Sequence, residues 1–282
     1  MDRILDDIKL ADLVQIGGLI RFSCPFEESG FGSFKWQFGD MKEMLAALFE
    51  TSRMEERFLY FEKVCLHTLR RQTNKNFTVG VLVSEHMPAT HRHRMDKLLS
   101  DFPQARQVMV AIQPYRQAIE QGYAEVFDRD TPYRLSFRLD DDDAVAVDFI
   151  EQVYNKAPHL IGLSEGKNPV ALSFLKKLTL HGMAGARKLE PKIDGNPLGL
   201  GLCMLSPRES RINAYTFVHW KMVMHAQTVL DMGPLMNLRC FHTSNDSEMK
   251  TEGGRELKLS EAEIRRLLHS RFAMDMDELL AL

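Results

Sequence analysis

Arg138-Leu139-Asp140-Asp141-Asp142-Asp143 closes an apolar run, residues 133–139, and precedes a helical pattern over 144–156. Four consecutive carboxylates repel one another. Two unit charges ~4 Å apart cost about 1 kcal/mol in water and about 4 kcal/mol at an effective dielectric near 20. Where a buried strand ends, such a run needs either full solvation, as an acidic turn capping the next helix, or a compensating cation. Alternate residues of a strand share a face, so Asp140 and Asp142 are placed to converge on one ion. Asp143, near the helix start, either adds a third oxygen or favours the positive helix end. Hard oxygen ligands of this kind suit Mg²⁺ or Mn²⁺.

Three further strands precede this one. Residues 14–22 contain Gly17-Gly18 and end in Arg21-Phe22-Ser23-Cys24-Pro25, where proline stops sheet pairing. Residues 77–84 are rich in β-branched side chains, as in a strand buried on both faces. Residues 107–112 form the third. Between them the patterns predict helices over 53–71, 89–100 and 115–127. The first is entered through a Ser52–Glu55 capping box and carries a buried stripe of Phe58, Phe61, Cys65 and Leu69. His91 and His93, two apart on the second, point in different directions and belong to a solvated basic face. A glycine- and aromatic-rich loop, 28–39, follows the first strand.

Strand and helix thus alternate four times, which predicts an α/β chain with a mostly parallel, Rossmann-like sheet flanked by helices. Ligands of such sheets bind beyond the carboxyl ends of the strands. Arg21, Ser23, Ser84, Arg138 and the acids all fall at that edge. Arginine presents forked donors to phosphate oxygens, so the edge reads as a site for a metal-bridged, phosphate-containing ligand. The alternative for each arginine is a neighbouring carboxylate.

The 282 residues suit a single domain. They are 44% hydrophobic and 27% charged, as in an ordinary globular protein with a sizeable core. A formal charge of −3 gives no push toward nucleic acid. Cys24, Cys65, Cys203 and Cys240 have no C-x-x-C spacing and read as reduced thiols of a cytoplasmic protein. The charged N-terminal residues do not resemble a signal peptide, and no apolar run of about 18 residues predicts a membrane span.

The second half is less regular. Strands are expected over 159–164, 174–179 and 198–205, a mobile loop over 181–201 and helical patterns over 213–231. Ser260–Glu263 forms a capping box for a last helix, with a peripheral tail after Phe272.

Four motifs in this order resemble a family: Arg21-Phe22-Ser23, Gln72-Thr73-Asn74-Lys75-Asn76-Phe77, the acid run, and His242-Thr243-Ser244-Asn245-Asp246-Ser247. Together they resemble the rhamnosyltransferase family of bacterial polysaccharide synthesis, which has a GT-A-type glycosyltransferase fold. The resemblance spans roughly residues 14–247. It implies a nucleotide-sugar-binding half (13–157), an acceptor-side α+β half (158–250) and a C-terminal helix and tail (251–282). It also implies an Asp-x-Asp motif holding a divalent cation, Mn²⁺ or Mg²⁺, against the donor diphosphate. Asp140 and Asp142 fill the motif and Asp143 extends it, while Asp141 with Asp143 gives a second register. His242 matches the late histidine that completes such a metal shell.

The chemistry expected is transfer of a sugar from a nucleoside-diphosphate donor to a glycan or other hydroxyl acceptor. Arg21, Ser23, Arg138, Asp140 and Asp141 are the expected donor-binding residues. Asp140, Asp142, Asp143 and His242 are the metal candidates. A general base for the acceptor hydroxyl is sought in His219, otherwise a core histidine, or in Asp194. The rival readings are a nucleotidyltransferase, releasing pyrophosphate, and a non-catalytic nucleotide-sugar-binding module.

Overall fold

The computed structural model describes residues 9–27, 40–182, 185–242 and 254–282. The expected loop 28–39 and the 243–247 part of the last motif lie outside them. In chain order the elements are α1 (Leu10–Leu13), β1 (Val14–Arg21), α2 (Met41–Leu48), α3 (Thr51–Tyr60), α4 (Leu66–Arg70), β2 (Thr78–Ser84), α5 (Ala89–Leu99), β3 (Ala105–Val110), α6 (Tyr115–Val126), β4 (Tyr133–Asp140), β5 (Ala144–Val145) and α7 (Phe149–Ser164). Then follow β6 (Val170–Phe174), β7 (Lys176–His181), β8 (Lys188–Ile193), β9 (Cys203–Pro207), β10 (Gln227–Asp231), β11 (Asn237–Cys240), β12 (Arg255–Glu256), α8 (Glu261–Phe272) and α9 (Met276–Ala281). A π-helical turn, Phe61–Cys65, joins α3 to α4, and a 3-10 turn, His219–Met224, precedes β10.

Seven strands form the central sheet in the order β10-β6-β9-β4-β1-β2-β3. The β1, β2, β3 and β4 contacts are all parallel, and β9 runs antiparallel to both β4 and β6. This is the mixed α/β, mostly parallel sheet expected. Three of its strands, β6, β9 and β10, come from beyond residue 157, so segments from both sides of that residue share one sheet. A five-stranded sheet, β12-β8-β7-β11-β5, lies beside it.

The register puts Arg21 beside Asp140 at the ends of β1 and β4. Gly18 makes that pairing possible, because a Cβ there would come within 2.1 Å of the Phe137 ring. Apolar stripes on α3, the π turn and α4 (Phe58, Phe61, Cys65, Leu69) are fully buried against the sheet. Full burial of such side chains contributes roughly 1.5–3 kcal/mol each.

Several local expectations are corrected. Glu50, rather than a Ser52–Glu55 box, caps α3 by accepting the Ser52 and Arg53 N–H groups. Ala144 and Val145 pair antiparallel with β11, so the helix begins at Phe149. Residues 159–164 complete α7, whose buried face (Phe149, Ile150, Val153, Ala157, Leu160) holds helical spacing through Pro158. The 181–201 stretch contains β8, an antiparallel partner of β7. Residues 213–231 yield the 3-10 turn and β10 instead of long helices. The Ser260–Glu263 capping box is present, and α9 buries Met276 and Leu279. All four cysteines are buried, and among the described residues none forms a disulfide. Among the described residues no helix is long and apolar enough to cross a membrane.

Candidate active site

The acid run straddles the end of β4, and its four carboxylates part company there. Asp140 is still in the strand; Asp141 and Asp142 form a turn. The alternation that would bring Asp140 and Asp142 to one face therefore ends at Asp140.

On the α6 side, Arg21 Nη2 donates to Asp140 Oδ1 at 3.1 Å, with both side chains partly open to solvent. Burial opposes ionisation of Asp140, but Arg21 and then Arg138 outweigh it and hold the carboxyl at about 2. Arg138 shares its face of β4 with Asp140. Its guanidinium lies 4.6 Å from the Tyr215 ring centroid, and that of Arg21 lies 5.4 Å from the same ring. One aromatic ring thus lies against two cations. The Tyr215 hydroxyl donates to Leu19 O at 2.9 Å, which fixes the platform to β1. The Nε atoms of Arg21 and Arg138 are buried and have no hydrogen-bond partner among the described residues. Among the described residues Arg138 has no ion-pair partner.

On the α3 side the acids are enclosed. Arg57 donates to both oxygens of Asp141, through Nε at 2.8 Å and through Nη2. Only 6% and 1% of these two side chains are exposed. Burial, even against Arg57, pushes the Asp141 carboxyl up to about 6. Asp141 was expected to bind donor. The closed ion pair makes it instead an anchor between α3 and the turn.

Asp142 Oδ2 is 2.9 Å from His242 Nε2, and Glu56 Oε2 is 3.4 Å from Nδ1 of the same ring. The His242 ring is buried and stacks on Tyr60 at 4.3 Å. Burial lowers its pKa, but the hydrogen bonds to Asp142 and Glu56 raise it overall. Asp143 Oδ1 accepts the Cys240 N–H at 2.9 Å. Burial, then Asp142 and Asp140, push its carboxyl well above the usual range.

Among the described residues no three His, Cys, Asp or Glu side chains form a metal-holding group. The donor chemistry nevertheless fits a divalent ion at one point. A carboxylate oxygen and an imidazole nitrogen stand 2.9 Å apart, a mixed O/N pair that suits Mn²⁺. A buried acid repelled by its neighbours, Asp143, lies one residue away. Of the four metal candidates, the structure joins Asp142 to His242. It turns Asp140 toward Arg21 and Asp143 toward the β11 backbone.

The remaining candidates sit around this edge. Ser23 is buried at φ 45°, and its Oγ accepts from Arg53 Nη1 at 3.0 Å. His219 opens the 3-10 turn beside Gly199, where a Cβ would lie 3.2 Å from His219 Nδ1 and 3.5 Å from Arg138 Nη2. Burial, then Arg138 and Arg239, lower the His219 pKa to about 4, leaving a neutral imidazole at pH 7. Asp194 Oδ2 is 2.9 Å from the buried Lys177 ammonium.

Sequence reading missed Arg57, Tyr60 and Tyr215, since their roles appear only when elements far apart in the chain are brought together. It did flag the Gln72 motif, whose place is now explicit. Gln72 Nε2 donates to Thr68 O and Ala146 O, and its Oε1 accepts the Ile150 N–H. It ties the end of α4 to the chain leaving the acid run.

Residues 15–254 match the model of the family described as "Putative rhamnosyl transferase". The chain belongs to this family, and with it to the glycosyltransferases. No curated protein matches the sequence. Among solved structures, S. aureus TarS 1–349 in complex with UDP-GlcNAc is 9% identical, with a TM-score of 0.40, over 81% of this chain and 59% of that one. The UDP complex of the same protein is 8% identical, with a TM-score of 0.43, over 80% and 60%. A 4-diphosphocytidyl-2C-methyl-D-erythritol synthase from Anaerococcus prevotii is 10% identical, with a TM-score of 0.35, over 86% and 93%. The family member described here thus spans about 60% of the TarS chains it matches.

Proposed function

We propose that this family member moves a sugar, rhamnose being the first to test, from a nucleoside-diphosphate donor to a hydroxyl of a glycan acceptor in bacterial polysaccharide synthesis. The observation that carries the reading is the pair of guanidiniums, Arg21 and Arg138, both against the Tyr215 ring at the strand ends, each with a buried Nε that has no partner among the described residues. Burying a donor unpaired costs roughly 1–3 kcal/mol, which binding of a diphosphate oxygen there would recover. Forked, always-charged donors are suited to the charge that builds on the departing diphosphate.

Asp142 and His242 would hold a divalent cation, Mn²⁺ or Mg²⁺, with Asp143 behind them. When bound, that ion would supply Lewis-acid neutralisation of the leaving group. Asp140, held ionised by Arg21, orients that arginine. Asp141 and Arg57 keep the turn in place beneath. His219, neutral and beside Arg138, is the better placed acceptor of the hydroxyl proton. Asp194 is engaged with Lys177 and serves better to set the charge of the acceptor side. The buried free thiols support a reducing, cytoplasmic setting.

Chromatographic detection of nucleoside diphosphate released from dTDP-rhamnose and other nucleotide sugars, with and without Mn²⁺ and a glycan acceptor, tests the reading. Acceptor-stimulated release that Arg138→Ala slows at low donor concentration is expected. Pyrophosphate release from a nucleoside triphosphate, or ligand binding with no turnover of any donor, would count against it.

A further inference from the structure

Among the described residues, eight large hydrophobic side chains are exposed, and six of them fall between residues 218 and 232: Val218, Trp220, Val223, Met224, Leu230 and Met232. The other two are Met41 and Met109. The proposed mechanism uses His219 from this segment and leaves the six unemployed.

The local backbone explains why they project. A 3-10 helix repeats every three residues, so His219 and Met222 share one side of the His219–Met224 turn. Met222 is fully buried and joins Ala171, Leu202 and Met204 in one small core. The other two sides, Trp220 with Val223 and Lys221 with Met224, face solvent, and Met224 is 75% exposed. At the two ends of the turn the Phe217 and His225 rings stack at 4.7 Å, which braces it in that attitude. β10, which follows, is an edge strand of the central sheet and carries Leu230.

Charge identifies what such a surface fits. From Arg211 to Leu230 the chain has no Asp or Glu. Lys221 is exposed, with its Nζ 4.7 Å from the Trp220 ring centroid. The next acid, Asp231, is paired with Lys156. A tryptophan and aliphatic side chains projecting beside a lysine, with no anion among them, match an anionic bilayer. The ring and methyl groups enter the boundary between headgroups and acyl chains, and the ammonium stays level with the lipid phosphates. A second copy of this chain, meeting through the same turn across a two-fold axis, would set one lysine-bearing surface against another. Head-to-tail contact has no second apolar patch to enter, because the described residues outside this segment expose only Met41 and Met109.

We propose that residues 218–232 form a membrane-docking surface that seats the protein on an anionic lipid bilayer, with Trp220, Val223 and Met224 inserted and Lys221 at the phosphates. His219 opens the same turn, so docking holds this edge of the candidate site at the lipid surface. The docking does not rest on the transferase reading, and its test involves no turnover.

The full chain has two tryptophans, Trp36 and Trp220, so Trp36→Phe leaves Trp220 as a fluorescent reporter. Vesicles of phosphatidylcholine with about one-third phosphatidylglycerol should shift its emission to the blue and co-sediment with the protein, and phosphatidylcholine alone should bind at least several-fold less. Met224→Asp is expected to weaken binding to the anionic vesicles by about tenfold or more, with Tm unchanged because the side chain is exposed. Lys221→Glu should weaken it a few-fold. No blue shift with anionic vesicles, affinity no higher than for phosphatidylcholine alone, or equal binding by wild type and Met224→Asp would overturn the proposal. A dimer in light scattering that Met224→Asp dissociates, with no vesicle binding by wild type, would also overturn it and give the surface to a second copy.

Discussion

Asp140 and Asp141 are chain neighbours with the same side chain, yet they differ in almost every physical respect. Asp140 is 41% exposed, shares Arg21 with solvent and is held at about 2. Asp141 is 1% exposed, closed by Arg57 and pushed up to about 6. The difference lies in what each arginine has left to give. Arg57 is spent on its partner, and breaking the pair would strand a charge in the core. Arg21 and Arg138 each keep a buried Nε–H with no partner among the described residues, and a donor buried unpaired costs stability. One acid run thus joins a closed, paired end to an end with donors unspent.

The sharpest way to break the comparison is Arg57→Ala. Removing one partner of a buried pair costs about 3–5 kcal/mol, so chemical denaturation should show a large loss of stability and activity should fall with it. Arg138→Ala should do the reverse: no large loss of stability, since it removes a buried donor that has no partner among the described residues, with the donor KM raised about tenfold to hundredfold, as for loss of charge-assisted hydrogen bonds. If both variants behave alike, the two ends are not different in kind. His242→Ala should weaken Mn²⁺ binding by about tenfold in calorimetry, and unchanged affinity would remove His242 from the metal site. The smallest effect is expected from pH. His219 stays neutral down to about 4, so its own contribution to kcat/KM should be an acid limb near 4 that is absent in His219→Ala. Stability follows with a definite sign. Between its unfolded value of 6.5 and about 4 the unfolded chain binds more protons, so stability falls as pH is lowered through that window.

The first half of the fold was legible because its strands and helices each hold one period over their length. β1, β2, β3 and β4 have boundaries within two residues of expectation, and Arg21, Arg138 and the acids do gather at their carboxyl ends. Beyond residue 157 the segments are short and their edges fall inside apolar runs. Residues 174–179 read as one strand, but Leu175 separates two strands that belong to different sheets. In the site, the acids were readable and their partners were not. Nothing near Asp141 in sequence points to Arg57, 84 positions away. Nothing in the pattern around Tyr215 marks it as the ring under two arginines. The period-two rule that joined Asp140 to Asp142 was sound inside the strand and stopped one residue too early.

The π-helical turn at Phe61–Cys65 has a bearing on how this helix can vary. One wider turn divides it into an upstream half, aiming Arg57 and Tyr60 at the acids, and a downstream half, aiming Leu66, Leu69 and then Gln72 at the sheet and the start of α7. Excising a single residue between them would barely shorten the rod. It would swivel one half against the other by roughly 100°, so that no rotation of the whole could seat both ends at once. Related chains should therefore tolerate substitution inside that turn far better than any change in its length.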